Sequence, residues 1–194
     1  MKNSVIYLII IAFIIGNLTQ IHARNTLKKQ LRKNFNIGYD LNFGNDFHSR
    51  NFHIGTGYSE KFPENKKAYW QIGGDINWSR YVLYDKYDEA FYDHNSSLKT
   101  TSLSFPFVLG YEVKRTMFNG LKVYAGPVYE MIFTSRLNGD PYSDINYGQL
   151  GFTVGTKIRF LVFVNARIAY NFYPYGLFSN GDLNRSALNL SIGL

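Results

Sequence analysis

The stretch "VFVNARIAYNF", Val162 to Phe172, sets Arg167 and two asparagines inside an otherwise apolar run. On a helix, Arg167 would project from a cylinder that is hydrophobic nearly all round, and burying a lone guanidinium is costly. On a strand, successive side chains point to opposite faces. Val162, Val164, Ala166, Ile168, Tyr170 and Phe172 then share one face, and Asn165, Arg167 and Asn171 share the other. The strand reading removes the conflict and asks what each face meets.

The same two-residue period recurs along the chain and defines it. It appears in "FNIGYDLNF" from Phe35, in "FHIGTGYS" from Phe52 and in "YWQIGGDINWS" from Tyr69. It continues in "LSFPFVLGYEV" from Leu103 and "LKVYAGPVYEMIF" from Leu121. "YGQLGFTVGTKIRF" from Tyr147 is the clearest case, with Leu150, Phe152, Val154, Ile158 and Phe160 opposed to Gln149, Gly151, Thr153, Gly155, Lys157 and Arg159. With the opening stretch and "SALNLSIGL" from Ser186, this predicts eight strands. Each is near the roughly 9 to 11 residues a tilted strand needs to cross a bilayer.

A soluble β-sandwich also alternates, so the composition of the faces decides. A water-facing sheet surface is crowded with Lys, Glu, Thr and Ser. Here the polar face is rich in Gly, Asn and Gln with isolated charges, which suits a narrow enclosed space. The apolar face carries Phe, Leu, Ile, Trp and Tyr, which suits lipid. Hydrocarbon forbids unpaired sheet edges, so such a chain has to close on itself. The predicted fold is all-β, an eight-stranded antiparallel up-and-down transmembrane β-barrel over residues 35–194. Tyr58, Trp70, Trp78, Tyr111 and Tyr173, near strand ends, are the candidates for interfacial girdles.

The ends of the chain fit export. Residues 1–23, "MKNSVIYLIIIAFIIGNLTQIHA", have a positive start at Lys2, an apolar core from Val5 to Gly16 and a short polar stretch ending in Ala23. That is the layout of a signal peptide, with a core well short of the roughly 20 residues of a spanning helix. Residues 24–34 read as a basic periplasmic segment, with "LKKQLRK" from Leu27 to Lys33. The chain has no cysteine, so no disulfide supports it and no lipid-anchoring cysteine follows the apolar core. Basic residues number 21 against 14 acidic ones, but outside that segment they are dispersed, and with export no nucleic-acid partner is expected.

The connections support this topology. "DKYDEAFYDHNSS", "SRLNGDPYSDIN" and "YPYGLFSNGDLN", after strands three, five and seven, are long and polar. "KRTMFNG" after strand four and the link between Phe160 and Val162 are short, whereas "KFPENKKA" after strand two is not. Long loops at one end and short turns at the other is the outer-membrane pattern.

At this point the chain resembles the PorT-like outer-membrane β-barrel family of Gram-negative bacteria. The resemblance is carried by "LSFPFVLGYE", by the Gly-Pro strand "VYAGPVYEMI" and by the ending "YNFYPYGLFSN" to "NRSALNLSIGL". It covers essentially the whole mature chain, and departs at Leu194, where such barrels often end in an aromatic. It implies an outer-membrane location, and PorT-like relatives include a component of a protein-secretion system.

Eight strands enclose a lumen that side chains nearly fill. The inward set holds the acids Asp40, Asp75, Glu112 and Glu130 and the bases Lys122, Lys157, Arg159 and Arg167. These are expected to form a structural ion-pair network, with at least one acid within reach of Arg167 or Arg159; a narrow ion path lined by the same groups is the alternative. A catalytic triad would need a nucleophile, a His and an acid in contact. "DHNSS" brings Asp93, His94, Ser96 and Ser97 together only as loop neighbours, and Asp85, Asp88, Glu89 and Asp93 lack EF-hand spacing. No enzymatic activity, cofactor or metal site is therefore expected, a lipid-modifying outer-membrane enzyme ranking last among the alternatives. The expected surroundings are outer-membrane lipid, with a protein partner reached through the outer loops or the N-terminal segment of a monomeric barrel.

Overall fold

The computed structural model describes residues 34–43, 47–83, 97–115, 120–160, 164–179 and 185–193. The signal peptide, the basic segment up to residue 33, the loop carrying Asp85, Asp88, Glu89, Asp93 and His94, and Leu194 lie outside the described residues.

Eight strands form the wall: β1 Asn36–Phe43, β2 Phe47–Lys61, β3 Ala68–Leu83, β4 Ser97–Arg115, β5 Gly120–Leu137, β6 Gly148–Arg159, β7 Asn165–Tyr173 and β8 Arg185–Gly193. Each pairs antiparallel with the next, and β1 closes on β8 from Asn36↔Gly193 to Asn42↔Ala187. The result is a closed eight-stranded antiparallel up-and-down β-barrel, as the alternation predicts. A two-residue extension, Asp140–Pro141, folds back on the end of β5.

The faces divide as the sequence requires. Inward positions such as Asp40, Asn51, Asp75, Ser104, Glu130 and Asn189 are buried. Outward apolar side chains are exposed, Ile192 to 66% and Leu109 to 54%, which no water-soluble surface tolerates around a whole circumference. Tyr58 and Trp70 face outward with ring centroids 5.5 Å apart. Tyr173 is the exception among the girdle candidates: it shares the odd-numbered parity of Arg167 and Asn171 and is buried inside.

Strands β2 to β5 run to 15, 16, 19 and 18 residues, longer than expected. Their extra length lies toward the long-loop end, where outward positions turn polar and the apolar alternation that marks a strand in sequence fades. At that end Phe47, Tyr81, Leu98, Ile132, Ile145, Leu177 and Phe178 pack into a buried apolar cluster. The connections after β5 and β7 dock on each other there. Ile145 bridges Phe178, and Asn146 Nδ2 donates to the carbonyls of Gly176 at 2.8 Å and Phe178 at 2.9 Å.

Two prolines interrupt the wall. The β4–β5 pairing skips from Pro106↔Val128 to Leu109↔Ala125, since neither Pro106 nor Pro127 has an N–H for the ladder. Gly126 fills this gap, and a Cβ there would stand 2.1 Å from the Phe107 carbonyl oxygen. Gly74, by contrast, has nothing within 4 Å of a Cβ. Gly126→Ala is expected to destabilise the barrel by about 1–3 kcal/mol, the usual range for overpacking, and Gly74→Ala to leave it nearly unchanged. The urea midpoint of the folded, fast-migrating gel band measures both.

Candidate functional site

The lumen gathers charged side chains of both signs from many strands, and it is built in tiers. Uppermost, below the apolar cap, Arg185 enters from the start of β8. Its Nη2 donates to Glu130 Oε2 at 2.7 Å and to Gln149 Oε1, and its Nη1 donates to the Tyr81 hydroxyl at 3.0 Å. The guanidinium lies 4.4 Å from the centroid of the Tyr173 ring. Ser102 Oγ donates to the other oxygen of Glu130. Gln149 Nε2 in turn donates to the Gly176 carbonyl at 3.1 Å, tying this tier to the connection after β7. Arg185 and Glu130 are each only 4% exposed.

The middle tier is mostly uncharged. Asn189 Nδ2 donates to Asp40 Oδ1 at 2.6 Å, and His53 Nδ1 stands 3.5 Å from the same oxygen. Asn36 Nδ2 reaches Asp75 Oδ1 at 3.5 Å, and Asn77 Nδ2 donates to Ser102 and Ser104 at 3.2 and 3.1 Å. Glycines make the room. A Cβ at Gly55 would fall 1.5 Å from Asp75 Oδ1, and one at Gly38 2.4 Å from the His53 ring.

The lowest tier faces the chain termini and is cationic. Lys122, Lys157 and Arg167 stand level on β5, β6 and β7. Arg167 Nε donates to the Tyr124 hydroxyl, with its guanidinium 5.1 Å from that ring's centroid, and Lys122 Nζ lies 4.9 Å from the Tyr69 centroid. Lys157 Nζ donates to Asn34 Oδ1 at 3.4 Å, so Asn34, read in sequence as part of the N-terminal segment, is buried in the barrel's end. Glu112 stands opposite Lys122 on β5 and is bridged by Lys61 at 2.6 Å. Arg159 sits opposite Gly120 and Asn165.

All eight charged residues named from the sequence thus lie on the inner-facing positions, but they pair differently from expectation. Among the described residues no carboxylate lies within ion-pair distance of Arg167 or Arg159. Register is the reason: Arg167 stands opposite Lys157 and Ser191, and a tyrosine hydroxyl takes its Nε–H. Glu130, Glu112 and Asp40 find Arg185, Lys61 and His53, none of which the sequence reading had included.

Among the described residues, small cavities of about 40 and 30 Å³ lie between the tiers, one lined by residues such as Asp75, Asn77 and Asn171, the other by Gln71, Tyr124 and Lys157. Each has room for a few waters and for no solute. Arg167 and Pro106 line both and stand between them. His53 bonds Asp40 and Asn189, and among the described residues no serine hydroxyl completes a triad with it.

These features define a closed, side-chain-filled eight-stranded β-barrel. Solved barrels of this shape include the outer-membrane enzyme PagL, which matches with a TM-score of 0.51 and 12% identity over 81% of this chain and 97% of that one. The attachment invasion locus protein Ail of Yersinia pestis matches with a TM-score of 0.46 and 15% identity over 82% of this chain and 95% of its own. No family model and no curated protein matches the chain.

Removing one partner of a buried ion pair leaves a charge without compensation, at about 3–5 kcal/mol. Arg185→Leu is expected to lose that much stability in urea unfolding, and Arg185→Leu combined with Glu130→Leu to recover most of it. Arg167→Leu, whose partner is a neutral hydroxyl, is expected to cost less than Arg185→Leu.

Proposed function

We propose that this chain is an integral outer-membrane β-barrel with a structural or interaction role and a lumen that conducts nothing. The observation that carries the reading is the inversion of the two faces. Exposed apolar side chains cover the outside on all eight strands, while the inside is filled by hydrogen-bonded polar groups under an apolar cap. A wall of that kind is stable only with lipid around it. The cap and the tiers beneath it argue against a solute path, and the burial of the Asp40–His53 contact argues against catalysis.

The interaction role is supported by the docked connections after β5 and β7. Together they present a preformed surface with Tyr147 and Tyr175 exposed, the latter to 63%. Aromatic side chains on a preformed surface are favourable anchors for a protein partner. The "LSFPFVLGYE" and "VYAGPVYEMI" segments support a PorT-like assignment within this class, and with it association with secretion machinery.

Three measurements test the reading. The mature chain is expected in the outer-membrane fraction, with heat-modifiable migration on a denaturing gel; recovery as soluble periplasmic protein overturns it. In planar bilayers the purified barrel is expected to be silent, and reproducible unitary steps overturn the closed lumen. Co-purification of secretion components from outer-membrane extracts selects the PorT-like role, and an isolated monomer removes it.

A further inference from the structure

Four cations stand in one row on the outside of the barrel. Arg50 on β2 pairs across the strands with Arg80 on β3, Arg80 with Lys99 on β4, and Lys99 with Arg136 on β5. All four are exposed. With strands a little under 5 Å apart, the row is roughly 15 Å long. Like charges directly opposite each other on a sheet repel. Among the described residues none of the four has a carboxylate within ion-pair distance.

The placement is specific. On β1, β6, β7 and β8 the outward alternation brings no charged residue, so the row occupies one half of the circumference. Immediately below it, Phe52 and Trp78 stack with centroids 5.8 Å apart, and below them stand Ile54, Ile76, Leu103 and Met131. The cations therefore sit just above an aromatic step and an apolar belt, at the end with the long connections. Arg136 reaches this row only through a register shift. Glu130 and Ile132 face inward at even positions, and an extra residue opposite Thr101/Ser102 reverses the parity so that Ser135 is buried and Arg136 exposed. Without that bulge Arg136 would point into the lumen.

We propose that this row docks the headgroup phosphates of a multiply phosphorylated anionic lipid of the outer leaflet. Three of the four residues are arginines, whose planar fork matches phosphate oxygens bidentately. A line of roughly 15 Å spans two phosphates on one headgroup better than it grips a single free ion, and the apolar belt directly beneath gives the acyl chains their seat. The proposal rests on the barrel being inserted in an outer membrane.

The test uses the mature chain refolded in phosphatidylcholine bicelles, with heat-modifiable migration reporting insertion and its midpoint temperature reporting lipid binding. Diphosphorylated lipid A added to the bicelles is expected to raise the midpoint of the wild type, and sodium phosphate at equal charge to leave it unmoved. Arg50→Gln, Arg80→Gln, Lys99→Gln and Arg136→Gln together are expected to insert normally but to bind lipid A about tenfold more weakly or worse. The milder Arg80→Gln with Lys99→Gln gives an intermediate loss, and Lys66→Gln with Lys67→Gln, at the opposite end, gives none. Full lipid A response in the fourfold variant, or an equal response to free phosphate, overturns the proposal. So does a wild type that responds only after Asp85, Asp88, Glu89 and Asp93 are neutralised, since the chain's own acidic loop is then the occupant. Failure to insert at all overturns the membrane reading itself and is read separately, from the gel.

Discussion

Everything in this barrel depends on the pairing of β1 with β8, the two strands farthest apart in sequence. Seven opposed residue pairs, Asn36↔Gly193 through Asn42↔Ala187, turn an eight-stranded sheet into a cylinder without an edge. Closure gives the wall's backbone polar groups a partner within the wall, which is the condition for surviving in hydrocarbon. It also fixes the radius, so that each inward side chain must fit one narrow space. The glycines at 38, 55 and 126 follow from that: the first two yield volume to His53 and Asp75, and the third yields it to the neighbouring strand.

The lumen solves the problem of burying charge by spreading each ion over several partners. Glu130 accepts from Arg185 and Ser102, and Arg185 also donates to Gln149 and Tyr81 while lying on the Tyr173 ring. Those six residues come from six strands, so the ion pair acts as a cross-brace of the cylinder as well as a neutralised charge. Because Gln149 also donates to the Gly176 carbonyl, the brace reaches the connection after β7 beneath the cap.

The wall was legible in the sequence because period-two alternation is a local signal. Strand count, strand order and the inward set all follow from it. What was not legible has two physical causes. Alternation fades where outward positions turn polar and inward ones mix polar with apolar side chains, as at the long-loop ends of β2 to β5, where Phe47, Tyr81 and Leu98 face inward and Arg50, Arg80 and Lys99 outward. Arg185 was missed with them, one residue before the start assigned to the last strand. Parity alone would have pointed it inward beside Ala187 and Asn189. The second cause is register: which acid meets which base depends on strand stagger, and a single bulge reverses parity, as between Ile132 and Ser135. On that point Arg167 meets a tyrosine hydroxyl and no acid, and Tyr173, which shares the parity of Arg167, lies inside the barrel and not in a girdle.

The barrel carries rows of like charge in two places and treats them differently. Inside, Lys122, Lys157 and Arg167 are level neighbours, and the repulsion is met by what surrounds them: the rings of Tyr69 and Tyr124, the amide oxygen of Asn34, and Glu112, which stands opposite Lys122. Aromatic faces and amide oxygens attract cations without adding a negative charge that would itself need burial. Outside, Arg50, Arg80, Lys99 and Arg136 are equally level, yet the neighbours beneath them, Phe52, Trp78, Thr101 and Thr134, include no carboxylate. A fold that could have alternated signs along this row, as exposed sheets commonly do, instead uses a bulge to bring a fourth cation into it. That is intelligible if the missing anions belong to the surroundings of the barrel and not to its wall.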